Sequence, residues 1–202
     1  MKLYYSKGAC SLAVRILINE LDIVCDYQAV TLKTHLTETG VDFYSINPKG
    51  AVPALELNDG SILTENNVIQ QYLADTHSNS THLLPRSGIE RYRVLSWMNY
   101  MSVDLHKSCS PLFNSAISDE LKEQIFKPIL VKKLEYVDSQ LAKNDYINGS
   151  SFSLADAYLF VVLRWLPALK VNRQEFTHIE AFFQKVHKRP SVIKSLEQEQ
   201  IS

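Results

Sequence analysis

The first part of the chain alternates short apolar runs with helically spaced apolar residues. Residues 2–5 and 27–32 are short runs rich in side chains that favour β-strands. Between them, apolar residues recur from Cys10 to Leu21 with the spacing of one helix face. A strand, a helix and a second strand in so short a stretch make a βαβ unit. The pattern therefore predicts that the two strands are parallel.

The α/β pattern continues after the second strand. Residues 36–46 have a less regular apolar spacing, which predicts a helical segment. Two short strands are expected at residues 54–57 and 61–63. The sequence Asn58-Asp59-Gly60 between them predicts a hairpin, because such residues tolerate the backbone angles of a tight turn.

A polar segment separates this first part from the rest of the chain. A helix predicted over residues 65–75 completes the α/β pattern. Residues 76–88 are polar, contain Pro85 and lack apolar periodicity, so we interpret them as a linker. The sequence thus predicts a small α/β domain over residues 1–77.

Residues 88–202 are predicted to form an all-helical domain. One apolar stripe at helical spacing consists of Val94, Trp97, Met98, Met101 and Leu105. Further helices are predicted at residues 121–141, 175–187 and 192–197. The sequence Ser153-Leu154-Ala155-Asp156 has the form of a capping box and opens a helix that is apolar almost all round. Such a helix is expected at the centre of a bundle.

Composition narrows the classes of function. Among 202 residues, 21 Lys and Arg balance 22 Asp and Glu without a basic stripe, which disfavours nucleic acid and anionic membranes as partners. The most apolar stretch, residues 154–169, is interrupted by charges and a proline, and the N-terminus resembles a strand more than a secretory signal. The three cysteines lack disulfide or metal-ligand spacing, and the histidines form no zinc pattern. We therefore expect a cytoplasmic protein without a metal.

Cys10 is the first candidate for chemistry. Gly8-Ala9-Cys10 places a thiol where a strand turns into a helix, and the amide groups of a helix start favour a thiolate. Residue 13 is Ala, so the paired cysteine of a dithiol oxidoreductase is missing. The alternative is that Cys10 is a small apolar residue packed under a loop, the kind of structural role expected for Cys25 and Cys109.

Two further segments have the chemistry of a peptide-binding site. Val52 precedes Pro53, and a cis bond there would let Val52 offer its backbone groups to a peptide-like ligand. Glu65 could pair with an amine, while the amide groups that open the following helix, from Asn66 onward, could hold a carboxylate. Each feature also has an ordinary explanation, as a strand start or a helix cap.

A set of short motifs in a defined order extends over essentially the whole chain. They are Met1-Lys2-Leu3-Tyr4-Tyr5, Gly8-Ala9-Cys10-Ser11-Leu12, Ile46-Asn47-Pro48-Lys49-Gly50-Ala51-Val52-Pro53, Leu63-Thr64-Glu65, Gln71-Tyr72-Leu73-Ala74-Asp75, Leu105-His106-Lys107 and Ala155-Asp156-Ala157-Tyr158-Leu159-Phe160. Together they resemble the glutathione transferase family, and its bacterial beta class closely. The resemblance implies an α/β thioredoxin-like N-terminal domain that holds glutathione and an all-α C-terminal domain that lines the electrophile site. It also implies a homodimer with active sites near the interface.

The resemblance assigns roles to residues of the first domain. Cys10 is expected to contact the glutathione sulfur and to be able to form a mixed disulfide with it. Val52, next to a cis Pro53, is expected to pair with the cysteinyl backbone of glutathione. Glu65 and Asn66 are expected to hold the γ-glutamyl end.

Four residues of the helical domain also receive roles from the resemblance. Asn99, His106 and Lys107 are expected on the helix that faces the cleft. Asn99 and Asp104 are expected to extend toward the glutathione of the partner subunit. His106 is expected either to polarise the electrophile or to close the cleft, two roles that the sequence does not separate.

The chain departs from the class pattern at two places. Residue 35 is often Lys in this class and would pair with the glycyl carboxylate, but here it is His35, so affinity for glutathione is expected to be lower or pH-dependent. The residues after Glu65 are Asn66 and Asn67, where a small residue followed by Val is usual. Because Asn66 retains its backbone amide, the protein is still expected to bind glutathione.

The function implied by the resemblance is conjugation of the glutathione thiolate to hydrophobic electrophiles, a detoxification reaction with glutathione as co-substrate. Cys10 is expected as the main partner of the sulfur, and the nearby hydroxyls of Tyr5 and Ser11 could share that role. Two alternatives remain open at this point: glutathione-dependent thiol-disulfide exchange through Cys10, and a non-catalytic protein that binds ligands or other proteins.

Overall fold

The computed structural model describes residues 1–77 and 80–201. They form two compact units, one of residues 1–81 with 188–202 and the other of residues 82–187. Residues 78 and 79 of the predicted linker lie outside the described residues. The N-terminal part of the first unit contains β1 (Lys2–Tyr5), α1 (Ser11–Glu20), β2 (Asp26–Thr31), β3 (Leu36–Thr37), β4 (Ala54–Glu56), β5 (Ile62–Thr64) and α2 (Asn66–Thr76).

The five strands form one sheet in the order β3-β2-β1-β4-β5. β1 and β2 are parallel, as the βαβ pattern predicts, with Leu3 opposite Tyr27. The other pairs are antiparallel, and β4 and β5 form the predicted hairpin. Leu3 and Leu55, opposite each other on β1 and β4, are fully buried. The central strand β1 therefore has a fixed position, and so does the turn that follows it.

The prediction of a helical segment at residues 36–46 is wrong. Leu36 and Thr37 pair with β2 instead, and a single 3₁₀ turn occupies Phe43–Ser45. Local side chains satisfy the backbone in this segment, since the Thr37 hydroxyl accepts from Val41 N–H and the Asp42 carboxylate accepts from Tyr44 N–H. Such bonds compete with the bonds of a helix. The apolar spacing reflects burial of Phe43 in the core of the first unit.

The second unit is helical, as predicted. It contains α3 (Ile89–Asn99), a π-helical segment (Tyr100–His106), α4 (Lys107–Phe113), α5 (Asp119–Leu121), a second π-helical segment (Lys122–Phe126), α6 (Lys127–Leu141), α7 (Leu154–Trp165) and α8 (Thr177–His187). The first three follow one another without a break, and so do α5, the second π-helical segment and α6.

Helix α7 lies at the centre of the second unit, as its apolar sequence predicts. Every residue from 154 to 163 is buried, and α3, α8 and the first π-helical segment pack around it. The predicted capping box is present: Asp156 Oδ2 accepts from the Ser153 backbone N–H at 2.8 Å. Asp156 Oδ1 also accepts from Ile147 N–H at 2.8 Å, which ties the preceding loop to the helix start.

The last helix, α9 (Pro190–Glu199), belongs to the first unit. It packs against α1, with Val192 and Leu196 buried. The compact units therefore differ from the predicted ranges 1–77 and 88–202 at the C-terminus. An amphipathic pattern shows that a helix has a buried face, but it does not show which element covers that face.

Candidate active site

The turn between β1 and α1 presents Cys10 at the start of a helix. Cys10 is the N-terminal cap of α1, and its thiol donates a hydrogen bond to the Val52 carbonyl, with Sγ and O 3.4 Å apart. The turn is closed at its base by Ser11, whose hydroxyl accepts from Ser6 N–H and donates to the Ser6 carbonyl, each at 3.2 Å. Gly8 within the turn has a φ of +68°. Cys10 is partly exposed, and it lies at the N-terminal end of α1, where the amide groups favour negative charge.

The segment before β4 supplies the partner of this thiol. The Val52-Pro53 peptide bond is cis, and Val52 is largely buried. Because β4 pairs with β1, the carbonyl of Val52 is held beside the turn that carries Cys10. The structure thus brings together two residues that are 42 positions apart in the sequence.

Asn66, at the start of α2, also contacts the Cys10 residue. Its Nδ2 donates to the Cys10 carbonyl at 2.7 Å, and its Oδ1 accepts from Gln70 Nε2 at 2.6 Å. Both side chains are buried. Sequence reasoning considered only the backbone amide of Asn66 and did not select Gln70. The spacing of four residues on one helix was the available signal, since such residues share a face.

Glu65 precedes α2 with a backbone conformation that is unusual for its type. Its φ is +73°, in the left-handed region where a side chain is strained, and such strain is concentrated at functional sites. Its exposed carboxylate forms an ion pair with Lys49, whose Nζ also donates to the Thr64 hydroxyl at 3.0 Å. Lys49 was not selected from the sequence, because an exposed lysine has no local signature.

His35 lies in a small cluster with Gly50 and Tyr44. His35 has a φ of +54°, and its Nδ1 is 3.1 Å from the Gly50 carbonyl. The centroids of the imidazole and the Tyr44 ring are 4.6 Å apart. A Cβ on Gly50 would lie 2.5 Å from the Tyr44 ring, so this approach requires glycine. His35 is thus held against the segment that leads to Val52 and Pro53.

Tyr5 ends β1 and is buried. Its ring packs under the guanidinium of Arg15, with Cζ 4.2 Å from the ring centroid, and meets the edge of the Tyr27 ring. These contacts hold Tyr5 against α1.

His106, the last residue of the first π-helical segment, contacts two aromatic side chains of α7. Its Nδ1 is 2.7 Å from the Tyr158 hydroxyl, and the Trp165 ring centroid is 4.8 Å from its own. Burial, and to a smaller extent the charge of Lys107, lower the pKa of His106 to about 4. His106 is therefore neutral at physiological pH, and its uncharged imidazole shares a hydrogen bond with the Tyr158 hydroxyl.

The other three predicted residues of the second unit are on the same continuous helix. Asp104 forms an ion pair with Lys133, with Oδ1 and Nζ 3.1 Å apart. The Asn99 side chain and the Lys107 side chain are at exposed positions. No group of three or more His, Cys, Asp or Glu residues that could hold a metal occurs in residues 1–77 and 80–201.

The other two cysteines have different surroundings. Burial raises the pKa of the Cys109 thiol to about 12, and its Sγ donates to the Leu105 carbonyl. Burial also raises the pKa of Cys25, which is half-buried and donates to the Asp26 carbonyl. High thiol pKa values make both residues poor nucleophiles at neutral pH.

Comparison with known proteins gives a consistent result. Family models described as glutathione S-transferase N-terminal and C-terminal domains match residues 1–75 and 101–190. The chain is 43% identical to glutathione S-transferase GstA of Escherichia coli O157:H7 over 98% of each chain. Among solved structures, a sphingomonad glutathione S-transferase complexed with glutathione is 37% identical over the full length of both chains, with a TM-score of 0.95. A bacterial beta class enzyme of Sphingomonas chungbukensis has the same identity, coverage and TM-score.

Proposed function

The chain belongs to the glutathione S-transferase family, and we propose that it conjugates the thiolate of glutathione to hydrophobic electrophiles. The observation that carries this proposal is the contact of the Cys10 thiol with the Val52 carbonyl at the start of α1. A cysteine thiol, a helix start and a backbone carbonyl meet there, at one end of the sheet. This is the arrangement that a cysteine-containing peptide needs for its sulfur and its backbone.

Glutathione is proposed to bind along the first unit. Its sulfur would lie near Cys10, and its cysteinyl backbone would pair with Val52. The γ-glutamyl amine would meet the Glu65 carboxylate, and its carboxylate would meet the amide groups at the start of α2, where the helix dipole favours negative charge. The contact of Asn66 with the Cys10 carbonyl links these two ends of the site.

In the reaction, the glutathione thiol loses its proton to solvent or to a base, and the sulfur electron pair attacks the electrophilic carbon. A carbon–sulfur bond forms, and the leaving group departs with the electrons of its bond to carbon. The protein is proposed to contribute the stabilised thiolate and the orientation of the two reactants. The imidazole of His106 is proposed to be uncharged during the reaction, since its pKa is about 4.

We propose further that the protein is a cytoplasmic homodimer that removes toxic electrophiles. The three cysteines form no disulfide among the described residues, which suits a reducing compartment. The described residues include no helix long and apolar enough to cross a membrane.

The proposed dimer is supported by exposed apolar side chains on the helix 89–113. Ile89, Tyr92 and Val103 are more than half exposed there, as expected for apolar residues that a second subunit covers. Light scattering at micromolar concentration tests the dimer, and a mass of one chain would contradict it.

The transferase proposal is tested by steady-state conjugation of glutathione to 1-chloro-2,4-dinitrobenzene. We expect turnover by the wild type and a fall in kcat/KM of about tenfold or more for Cys10→Ala, because the variant loses a thiol next to the reacting sulfur. Cys25→Ala is the matched control and should keep the wild-type rate. Equal rates for Cys10→Ala and wild type would support the transferase function but contradict the role of Cys10. Stabilisation of the thiolate would then be assigned to Tyr5, Ser11 or backbone amides. No turnover by the wild type would contradict the proposal and favour thiol-disulfide exchange or a binding protein.

A further inference from the structure

The end of the chain contacts the turn that carries Cys10 through the carboxylate of Glu199. Glu199 has an exposed fraction of 0%. Its Oε2 accepts a hydrogen bond from Gly8 N–H at 2.8 Å, and its Oε1 accepts one from Arg15 Nε at 3.0 Å. Gly8 is two residues before Cys10, and Arg15 lies on α1. The carboxylate therefore joins the turn before Cys10 to the helix that follows it.

Besides the bonds of Ser11, the turn has a hydrogen bond of its own, from Ala9 N–H to the Ser6 carbonyl at 3.1 Å, and it also receives contacts from outside it. The Ser6–Ser11 hydrogen bonds hold the base of the turn, and Gly8 N–H donates to the Glu199 carboxylate. With its φ of +68°, Gly8 adopts a conformation that other residues rarely adopt. A Cβ at Gly8 would lie 3.9 Å from the Ile201 side chain, so Ile201, which follows α9, also lies close to the turn.

Arg15 explains why the Glu199 carboxylate stays where it is. The Arg15 side chain is 2% exposed, and its guanidinium lies 4.2 Å from the centroid of the Tyr5 ring and 3.8 Å from that of Tyr27. A buried charge needs a partner of opposite charge with good geometry. The ion pair with Glu199 provides it and thereby fixes the acceptor for Gly8 N–H.

On the basis of the proposed transferase function, we propose that Glu199 is a positioning residue for the reaction at Cys10. It acts through the amide of Gly8: a fixed Gly8 keeps the following residues in place, and the Cys10 thiol stays against the Val52 carbonyl. Small displacements of reacting groups reduce rates strongly, even when binding is little affected. Loss of the Gly8–Glu199 hydrogen bond should therefore lower kcat more than it raises KM.

The chain contains a matched control at the other end of α1. Glu20 contacts Arg189 and Ser191 at the start of α9, so it also ties α1 to α9. Glu20 is the last residue of α1, so this contact lies at the end of the helix away from the turn at Gly8. If Glu199 only held the two helices together, the loss of Glu20 would have a comparable effect on the reaction.

The decisive comparison uses two double variants that both lack the ion pair. Arg15→Met with Glu199→Gln retains a side-chain oxygen that can accept from Gly8 N–H, whereas Arg15→Met with Glu199→Met has none. Neither leaves a buried charge without a partner. We expect kcat for 1-chloro-2,4-dinitrobenzene to be about tenfold lower in the second double variant, with both KM values within about twofold. Glu20→Gln should stay within about twofold of the wild-type kcat.

A second readout does not require transferase activity. The rate of Cys10 alkylation by iodoacetamide is followed by peptide mass spectrometry, with Cys25 and Cys109 as internal references. We expect the rate at Cys10 to differ at least about threefold between the two double variants, and the rates at the references to agree. If the double variants do not fold, Glu199→Gln alone is compared with Glu20→Gln. In that single variant one oxygen must serve both Gly8 N–H and Arg15 Nε, and kcat should fall about three- to tenfold.

Equal kcat values and equal Cys10 alkylation rates in the two double variants would overturn the proposal, and so would an equal loss for Glu199→Gln and Glu20→Gln. The outcome is separable from that of the transferase proposal. If the wild type fails to conjugate, the transferase proposal fails, and the alkylation rates alone then decide whether Glu199 acts on Cys10.

Discussion

At the residue scale, Cys10 differs from the other two cysteines through its surroundings. Its thiol contacts a carbonyl at a helix start, and its own carbonyl accepts from Asn66 Nδ2. Cys109 has the same side chain in the middle of a helical unit, where burial raises its pKa to about 12. The chemistry of each thiol thus follows from its exposure and from the groups that face it.

His106 gives a pH prediction at the same scale. Burial lowers its pKa from 6.5 to about 4 in the folded protein, so the unfolded chain binds the proton more readily between these values. The contribution to stability is present above pH 6.5 and is lost as the pH falls toward 4. Between pH 7 and pH 4.5 the wild type should lose about 2 kcal/mol more unfolding free energy than His106→Gln.

Urea denaturation of both proteins at the two pH values measures this difference. His178→Gln, which removes an exposed imidazole, is the control and should keep the wild-type loss. An identical loss in wild type and His106→Gln would show that His106 is not the group concerned.

At the scale of elements, the start of α7 shows how a short motif sets up a helix. Asp156 is fully buried, and burial raises its pKa to about 6, so it is mainly ionised at pH 7.5. The carboxylate accepts from Ser153 N–H, the Ser153 hydroxyl and Ile147 N–H. The capping box was recognisable from the sequence because Ser153 and Asp156 have a fixed spacing. The bond from Ile147 was not, because the preceding loop has no such pattern.

The prediction for this element is that Asp156→Ala reduces the unfolding free energy at pH 7.5 by about 2–4 kcal/mol. The variant leaves buried donors without an acceptor, each at a cost of about 1–3 kcal/mol. Asp145→Ala is the control, because Asp145 is an exposed carboxylate paired with Lys185 and should cost less than about 1 kcal/mol. Denaturant unfolding followed by circular dichroism measures both, and equal effects would contradict the assignment.

The segment from residue 36 to residue 46 shows the opposite case. Its apolar residues suggested a helix, but Thr37 and Asp42 bond to nearby amides, and β3 pairs with β2. Helix and strand compete closely in short segments, and contacts with the rest of the fold decide between them.

At the scale of the whole molecule, the first unit is built from both ends of the chain. Residues 188–202 pack with residues 1–81, and α9 covers α1. The buried ion pair of Arg15 and Glu199 lies in this contact. The family models match residues 1–75 and 101–190, so most of α9 lies beyond the second matched range.

We predict that a chain ending at His187 is less stable by about 3 kcal/mol or more. The truncation leaves the Arg15 charge without its carboxylate and exposes apolar surface of α1. The midpoint of urea denaturation should fall accordingly. Lys194→Ala, a change at an exposed position of α9, is the control and should alter stability by less than about 0.5 kcal/mol. An unchanged midpoint for the truncated chain would show that α9 does not stabilise the first unit.

The sequence by itself determined the features that depend on neighbouring residues. The parallel βαβ unit, the hairpin at Asn58-Asp59-Gly60 and the capping box of α7 are encoded in short patterns, because periodicity, turn chemistry and capping act over a few positions. The position of Cys10 at a helix start is also local. The order of the motifs was sufficient to identify the family.

Only the tertiary structure decided which groups surround these residues. The Val52 carbonyl and the Asn66 side chain contact Cys10 across 42 and 56 positions, and Glu199 contacts Gly8 across 191. The neutral state of His106 likewise depends on burial near Tyr158 and Trp165. Such contacts arise when distant elements pack together, and the free energy of packing depends on the surfaces that meet rather than on the local pattern of either one.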